Sequence, residues 1–98
     1  MKIYIAGKIT GEPQGDVFTK FNTAAYRIKQ KGHEIVNPLD LCSSSWEWEE
    51  CMKVCIEQLI TCDAIYLLPD WALSKGARLE HEIASGLGLK IIRKLNQL

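Results

Sequence analysis

The chain has 98 residues, a length that suits one small domain over residues 1–98 with a single core. Its 12 basic and 12 acidic residues leave no formal net charge, which disfavours a strongly basic surface for a nucleic-acid polymer. No apolar run reaches the ~18 residues that a membrane span needs, and no segment resembles a secretory signal. We therefore expect a cytoplasmic protein that binds neither a membrane nor a nucleic-acid polymer.

The first half of the chain predicts a strand, a loop, a helix and a second strand. β-Branched and aromatic residues predict a strand over residues 2–6, and two glycines and a proline make residues 8–15 a loop. Apolar residues then recur at helical spacing over residues 16–32, where Asp16 can act as the N-cap and a glycine ends the helix. Residues 33–37 predict the second strand, which a proline ends.

The second half continues this alternation of strands and helices. Ser44 and Glu47 stand at capping-box spacing and predict the start of a second helix, whose apolar face extends to residue 60. Residues 64–68 are nearly all apolar, as in a strand buried on both sides within a parallel sheet. Ser74 can cap a third helix that ends near residue 86 or 88, and residues 89–93 predict the last strand.

This βαβαβαβ order predicts an α/β fold. We expect a three-layer sandwich around a four-stranded parallel sheet, with Rossmann-like or flavodoxin-like topology and strand order 2-1-3-4. In such open sheets, ligands bind beyond the carboxyl ends of the strands, at the point where the strand order reverses. That crevice should lie between the first and third strands, bordered by residues 7–15, residues 69–74 and the first turn of the third helix.

Glu80 is out of place on the third helix. At helical spacing it shares one face with four small or apolar residues, which are Gly76, Ile83, Ala84 and Leu87. An ionised carboxylate is costly to bury without partners. Glu80 could reach solvent near the start of the helix, or it could be structural and accept hydrogen bonds from the backbone or from Tyr4. Alternatively it lines the crevice, where a carboxylate could attack an electron-poor carbon, as in retaining glycosyl transfer, or bind sugar hydroxyls.

Other side chains flank the predicted crevice. Lys8 and Lys75 could contact a phosphate, although solvated surface lysines are commoner. Trp71 could stack on a base, or it could cover the edge of the sheet. On a helix, His81 points about 100° away from Glu80, so we do not expect the two to form a catalytic dyad.

The cysteines, at positions 42, 51, 55 and 62, are expected to be reduced thiols, several of them buried as small hydrophobic residues. Cys51 and Cys55 are four residues apart and could share a helix face, which is one element of a zinc site. However, the sequence has no tight CxxC pair, and both histidines are distant in sequence. We therefore expect no metal site.

Four groups of residues carry a resemblance to a known family. They are residues 4–7 with 9–11, residues 32–38, residues 62–64 leading to Trp71, and residues 76–81. In these segments the chain resembles small bacterial and phage proteins related to nucleoside 2-deoxyribosyltransferases. The resemblance implies an N-glycosidic bond enzyme, by deoxyribosyl transfer or hydrolysis, acting on a nucleoside or nucleotide. It further implies a homo-oligomer that needs no metal or redox cofactor.

The resemblance also implies roles for individual residues. Glu80, four residues after a glycine, corresponds to the nucleophile that attacks the anomeric carbon. Tyr4 corresponds to the tyrosine of the first strand that positions this nucleophile. The implied substrate-binding residues surround the crevice, and they are Gly7, Lys8, Thr10, Gly11, Asp70, Trp71, Ser74 and Gly76.

Two positions depart from the transferase pattern. Ser74 stands where the transferases have an aspartate six residues before the nucleophile, and Cys55 stands about where they have an aspartate on the second helix. Because a leaving base needs an acid near its ring nitrogens, Asp70 could substitute from the preceding loop. The alternatives are a non-catalytic nucleotide- or nucleotide-sugar-binding module of the same fold, and a small interaction domain whose assembly is its function.

Overall fold

A computed structural model describes all 98 residues of the chain. The four strands are β1 (Lys2–Ala6), β2 (Glu34–Val36), β3 (Ala64–Leu67) and β4 (Lys90–Ile92). The three α-helices are α1 (Gln14–Gln30), α2 (Trp48–Leu59) and α3 (Lys75–Gly86). Three short 3₁₀ turns cover Pro38–Asp40, Trp71–Leu73 and Leu95–Gln97. None of the helices combines the length and the apolar character needed to cross a lipid bilayer.

The four strands form one parallel sheet in the order β2-β1-β3-β4, which confirms the predicted fold class and strand order. In the middle of β1, Tyr4 is in register with Val36 of β2 and Ile65 of β3. The chain leaves β1 toward one edge to form β2 and returns to the other side for β3. The carboxyl ends of β1 and β3 therefore lie side by side at the point where the strand order reverses.

The sheet separates two layers of helices. Because successive side chains of a strand point to opposite faces, β1 contributes to both apolar cores. Ile3 and Ile5 pack in the core on the α1 side, whereas Tyr4 and Ala6 pack in the core on the α2 and α3 side. All four side chains are completely buried, as expected of a central strand in a parallel sheet covered on both faces.

Two helix starts differ from the prediction. Helix α1 begins at Gln14, directly after Pro13, so Asp16 lies in its first turn instead of capping it. Helix α2 begins at Trp48, so the predicted capping box from Ser44 does not form. The reason is local, because the backbone amide of Ser45 donates a hydrogen bond to the hydroxyl of Ser43. Such side-chain bonds to the backbone compete with helix formation, and residues 43–46 form a turn closed by a hydrogen bond from the Trp46 amide to the Ser43 carbonyl.

The prediction of four reduced thiols is wrong for one pair of cysteines. Cys42 and Cys51 form a disulfide, with their Cα atoms 5.5 Å apart. The chain that leaves β2 turns back after Pro38 and brings Cys42 against the first turn of α2, a contact that no local sequence pattern reveals. Cys55 and Cys62 are free and buried, as expected of cysteines that pack as small hydrophobic residues.

Candidate active site

The carboxylate of Glu80 is buried at the carboxyl ends of the central strands. Helix α3 is capped by Ser74, whose side chain accepts a hydrogen bond from the Ala77 amide at 3.1 Å, and this N-cap sets the helix so that Glu80 points inward. Glu80 is only 5% exposed. Its Oε2 atom accepts a hydrogen bond from the hydroxyl of Tyr4, which is completely buried on β1. The structure thus joins the two residues that were predicted to be catalytic.

Burial changes the acid–base properties of this pair. Removal from water raises the pKa of Glu80 to about 7 from its ordinary value of 4.5, although the hydrogen bond from Tyr4 opposes the rise. Burial, together with the adjacent charge of Glu80, raises the pKa of Tyr4 well above its usual value. Tyr4 therefore remains a hydrogen-bond donor at neutral pH, while Glu80 changes between its acid and its carboxylate near pH 7.

A cavity of about 90 Å³ opens beside Glu80. It is lined by segments from four parts of the fold, namely the loop after β1, the turn at Pro38, one face of α2, and the first turns of α3. Four other predicted site residues line it, which are Gly7, Thr10, Ser74 and Gly76. Glu80 is the only acidic side chain in the lining, so a carboxylate faces mostly neutral walls.

Two further cavities adjoin the Glu80 cavity. A cavity of about 430 Å³ shares Thr10, Trp48, Ser74 and Gly76 with it and adds two lysines and one glutamate, which are Lys8, Lys75 and Glu49. The Lys75 ammonium group also lies 4.3 Å from the centre of the Trp48 ring.

The other neighbour, of about 730 Å³, is the largest of the three, and eight of its 15 lining residues are hydrophobic. It shares five lining residues with the Glu80 cavity, which are Ile9, Thr10, Pro38, Trp48 and Cys51. The three cavities therefore adjoin one another around Glu80, with Lys8, Lys75 and Glu49 lining one neighbour and a mixed lining that includes Glu12 in the other.

Close packing explains why two positions in this region are occupied by glycine. A Cβ atom on Gly7 would lie 2.6 Å from Cδ1 of Leu68, so no larger residue fits there without displacing a core side chain. A Cβ atom on Gly76 would lie 3.1 Å from the sulfur of Met52, where α3 approaches α2. Gly7 and Gly76 thus let the two strand-end loops and the two helices meet around Glu80.

Asp70 lies outside these three cavities and is paired elsewhere. Its carboxylate accepts hydrogen bonds from the Lys8 amide at 3.0 Å and from the Lys20 ammonium group at 2.5 Å. Burial by itself raises the pKa of Asp70, but these bonds and the Lys20 charge outweigh it and hold the pKa below its ordinary value. Asp70 is therefore ionised at neutral pH and fixes the loop after β1 to the loop after β3.

Trp71 and Gly11 also line none of the three cavities. The Trp71 ring lies 4.5 Å from the His81 ring and 5.5 Å from the Arg93 guanidinium group, and it packs against the core on the α2 and α3 side of the sheet. Gly11 is exposed in the loop after β1, where its φ of +82° suits glycine. His81 forms no pair with Glu80, in agreement with its predicted direction.

One face of α2, which no sequence motif marked as part of the site, closes the cavity. Four residues at helical spacing make this face, and they are Trp48, Cys51, Met52 and Cys55. The helical spacing of apolar residues predicted that this helix would have a buried face. It did not predict that the N-terminal end of that face would lie over the carboxyl ends of the strands. Burial raises the pKa of Cys55, while a hydrogen bond with Tyr4 opposes the rise, so this thiol belongs to the same buried polar group as Tyr4 and Glu80.

Comparison with known proteins identifies a family. Residues 1–93 match the family model described as "Domain of unknown function (DUF4406)". A search among curated proteins gives no match.

Two solved structures share the fold. A CMP N-glycosidase from Clostridium botulinum superimposes with a TM-score of 0.66 and 19% sequence identity, covering 93% of this chain and 66% of that chain. A 2-deoxyribosyltransferase from Bacillus psychrosaccharolyticus superimposes with a TM-score of 0.71 and 18% identity, covering 93% of this chain and 69% of that chain. The present chain thus spans about two thirds of the length of each. At these identities the resemblance drawn from the sequence is confirmed as a likeness of fold.

Proposed function

The chain belongs to the DUF4406 family, and we propose that it breaks the N-glycosidic bond of a nucleoside or nucleotide with Glu80 as the nucleophile. The observation that carries this proposal is the buried Glu80–Tyr4 pair beside a cavity at the reversal of strand order. The fold shared with a CMP N-glycosidase and a 2-deoxyribosyltransferase supports a substrate of this class. A homo-oligomer and a cytoplasmic location stay predictions that accompany the proposal.

The proposed reaction has two steps. In the first, the ionised Glu80 carboxylate attacks the anomeric carbon, and the bond from that carbon to the base nitrogen breaks. The electron pair of the broken bond goes to the base, which takes a proton from solvent water as it leaves. In the second step, water or an acceptor base attacks the same carbon, breaks its ester bond to Glu80 and loses a proton to solvent. Water yields hydrolysis, and an acceptor base yields transfer.

The environment of Glu80 supports the role of nucleophile. A carboxylate in a poorly hydrated cavity is a stronger nucleophile than one in water, because fewer hydrogen bonds stabilise its charge. Tyr4 supplies one hydrogen bond to Oε2 and fixes the rotamer, leaving Oε1 as the attacking atom. We therefore assign Tyr4 as a positioning residue.

The adjoining cavities suggest how a nucleotide is oriented. The sugar would lie in the Glu80 cavity against Gly7, Thr10, Ser74 and Gly76. A phosphate on the sugar would extend toward Lys8 and Lys75. The base would enter the largest cavity beside Trp48, which has the most hydrophobic lining residues of the three. Gly11, Asp70 and Trp71, which lie outside these cavities, have no direct substrate contact in this arrangement.

Release of free base tests the proposal. The protein should be incubated with a panel of nucleosides, deoxynucleosides and their monophosphates, and free base should be separated by chromatography. Glu80→Gln keeps the shape of the side chain but removes the nucleophile, so base release should fall at least about 10³-fold. Acid-quenched wild type should also show an intact-mass increase of one sugar unit that the variant lacks.

Glu82→Gln is the matched control for this experiment. Glu82 is an exposed glutamate on the same helix, so the same substitution there should leave base release unchanged. Equal background release by wild type and Glu80→Gln would contradict the proposal. If a nucleotide raises the melting temperature but no base is released, the chain is a non-catalytic nucleotide-binding module instead.

The pH profile tests the role of Tyr4 separately. Because the nucleophile must be ionised, kcat/KM of the wild type should rise about tenfold per pH unit below 7 and level off above it. The Tyr4 hydrogen bond lowers the pKa of Glu80, so Tyr4→Phe should move this inflection to higher pH by about one unit. An unchanged inflection with only a lower plateau would mean that Tyr4 has a packing role alone.

A further inference from the structure

Three cysteine sulfurs meet at the α2 wall of the Glu80 cavity. Cys51 and Cys55 lie one turn apart on α2, and Cys42 arrives from the loop that follows β2. The three Sγ atoms all lie within 4.8 Å of one another. Cys55 Sγ is 3.6 Å from Cys42 Sγ and 3.9 Å from Cys51 Sγ. The disulfide uses only the Cys42 and Cys51 sulfurs, so it does not account for the free Cys55 sulfur beside them.

The two separations from Cys55 match those of a thiolate metal site. Zinc–sulfur bonds of about 2.3 Å at tetrahedral angles place the sulfurs about 3.8 Å from one another. The Cys42 and Cys51 sulfurs are bonded in this structure, and they would become free to move apart once that bond is reduced. One ligand from a loop and two from successive helix turns then form one face of a tetrahedron.

We propose that, when the Cys42–Cys51 disulfide is reduced, Cys42, Cys51 and Cys55 together bind a thiophilic divalent cation of the zinc class. The reduction takes two electrons and two protons from a dithiol, which becomes a disulfide while Cys42 and Cys51 become thiols. The cation then replaces one proton on each of the three thiols, so that three protons are released. The disulfide and the metal complex are alternative states of the same cluster.

The position of the cluster leaves the cation with an open coordination site. Cys51 and Cys55 line the cavity that also contains Glu80. Sites with three protein ligands keep a fourth position for water or another small ligand, in contrast to closed structural sites with four. The fourth position here would be open to the Glu80 cavity. This inference does not depend on the proposed nucleosidase reaction, because metal binding requires no nucleoside.

Cobalt binding tests the proposal. Metal-free protein, reduced with a phosphine, should be titrated with Co²⁺ while the sulfur-to-cobalt charge-transfer absorbance is followed, and the Co²⁺ should then be displaced with Zn²⁺. The reduced wild type should saturate at one ion per chain. The oxidised wild type should give no charge-transfer band, because two of the three ligands are blocked.

Serine variants then locate the site. Cys42→Ser and Cys55→Ser should each bind Co²⁺ at least about tenfold more weakly and lose charge-transfer intensity. Cys62→Ser is the matched control, since Cys62 is also a buried free cysteine but lies outside the cluster. Cys42 is half-buried in a loop, so its variant keeps the test valid if Cys55→Ser fails to fold by circular dichroism. No band in the reduced wild type, or unchanged binding by Cys42→Ser, would overturn the proposal.

Discussion

At the scale of single residues, Glu80 makes the stability of the fold depend on pH. Its pKa is about 7 in the folded chain, against an ordinary value of 4.5 when the chain is unfolded and the side chain is hydrated. The folded state therefore binds this proton more tightly, so the stabilisation is complete below pH 4.5 and is lost as the pH rises through 7. The free energy of unfolding should fall by about 2–3 kcal/mol from this group between pH 5 and pH 8.

Urea unfolding of Glu80→Gln at these two pH values measures that contribution. Glutamine does not titrate, so the variant should lack this part of the pH dependence and should be more stable than the wild type at pH 8. Glu82→Gln, on the exposed face of α3, should retain the wild-type difference. Parallel pH dependences of the wild type and Glu80→Gln would show that Glu80 is hydrated in the folded state.

The same residue shows how far a sequence can predict a site. The helical spacing around Glu80 indicated an acid on an otherwise apolar helix face, and the strand order predicted that this acid would lie at the ligand crevice. The partners of other side chains depend on distant loops, and no spacing predicts those. Asp70 was predicted to face the crevice, yet Lys20, 50 residues away on α1, pairs with its carboxylate. Such pairings depend on how α1 packs over the strand ends, which a local pattern does not encode.

At the scale of elements, Gly7 joins β1 to the loop that borders the active-site cavity. A methyl group there would lie 2.6 Å from Cδ1 of Leu68 and 3.2 Å from Oδ1 of Asp70. Leu68 is buried in the core and has little room to move. We expect Gly7→Ala to lower the free energy of unfolding by about 1–3 kcal/mol through overpacking, measured by urea unfolding.

Gly15→Ala provides the control for this substitution. Gly15 lies in the first turn of α1, and a methyl group there would contact nothing within 4 Å. Alanine should therefore stabilise the helix by about 0.5–1 kcal/mol, because it restricts the unfolded chain more than glycine does. If both substitutions stabilise the protein, then the junction between β1 and its loop is looser than the structure indicates.

Elements were predicted more accurately than their ends. The apolar run of β3 and the spacing along α1 and α3 identified each element, because burial on a parallel sheet leaves a strong pattern. The predicted start of α2 was wrong because the hydroxyl of Ser43 accepts a hydrogen bond from the Ser45 amide, which stops the helix from extending toward Ser44. Whether Ser44 caps the helix or lies in a turn depends on the position of Cys42, which precedes this segment. That position is set by the bond from Cys42 to Cys51 on α2, a contact between residues that no local pattern encodes.

At the scale of the whole molecule, the Cys42–Cys51 disulfide ties the returning loop after β2 to the helix that covers the active-site cavity. The bond joins residues nine apart in sequence. Closing a loop of that length lowers the conformational entropy of the unfolded chain, which raises the free energy of unfolding by about 2–3 kcal/mol. Treatment with a reductant, in the absence of metal, should therefore lower the free energy of unfolding by that amount. Denaturant unfolding with and without a phosphine measures the difference.

A double variant separates loss of the disulfide from other effects of the reductant. Cys42→Ser with Cys51→Ser should unfold at the same denaturant concentration with or without the phosphine, because Cys55 and Cys62 are already free. In the reduced wild type, Zn²⁺ should restore stability as its concentration exceeds the dissociation constant, because a ligand bound only to the folded state raises the free energy of unfolding. A wild type whose stability does not respond to the reductant would mean that the loop is held against α2 by packing of Leu41 and its neighbours, and not by the covalent bond.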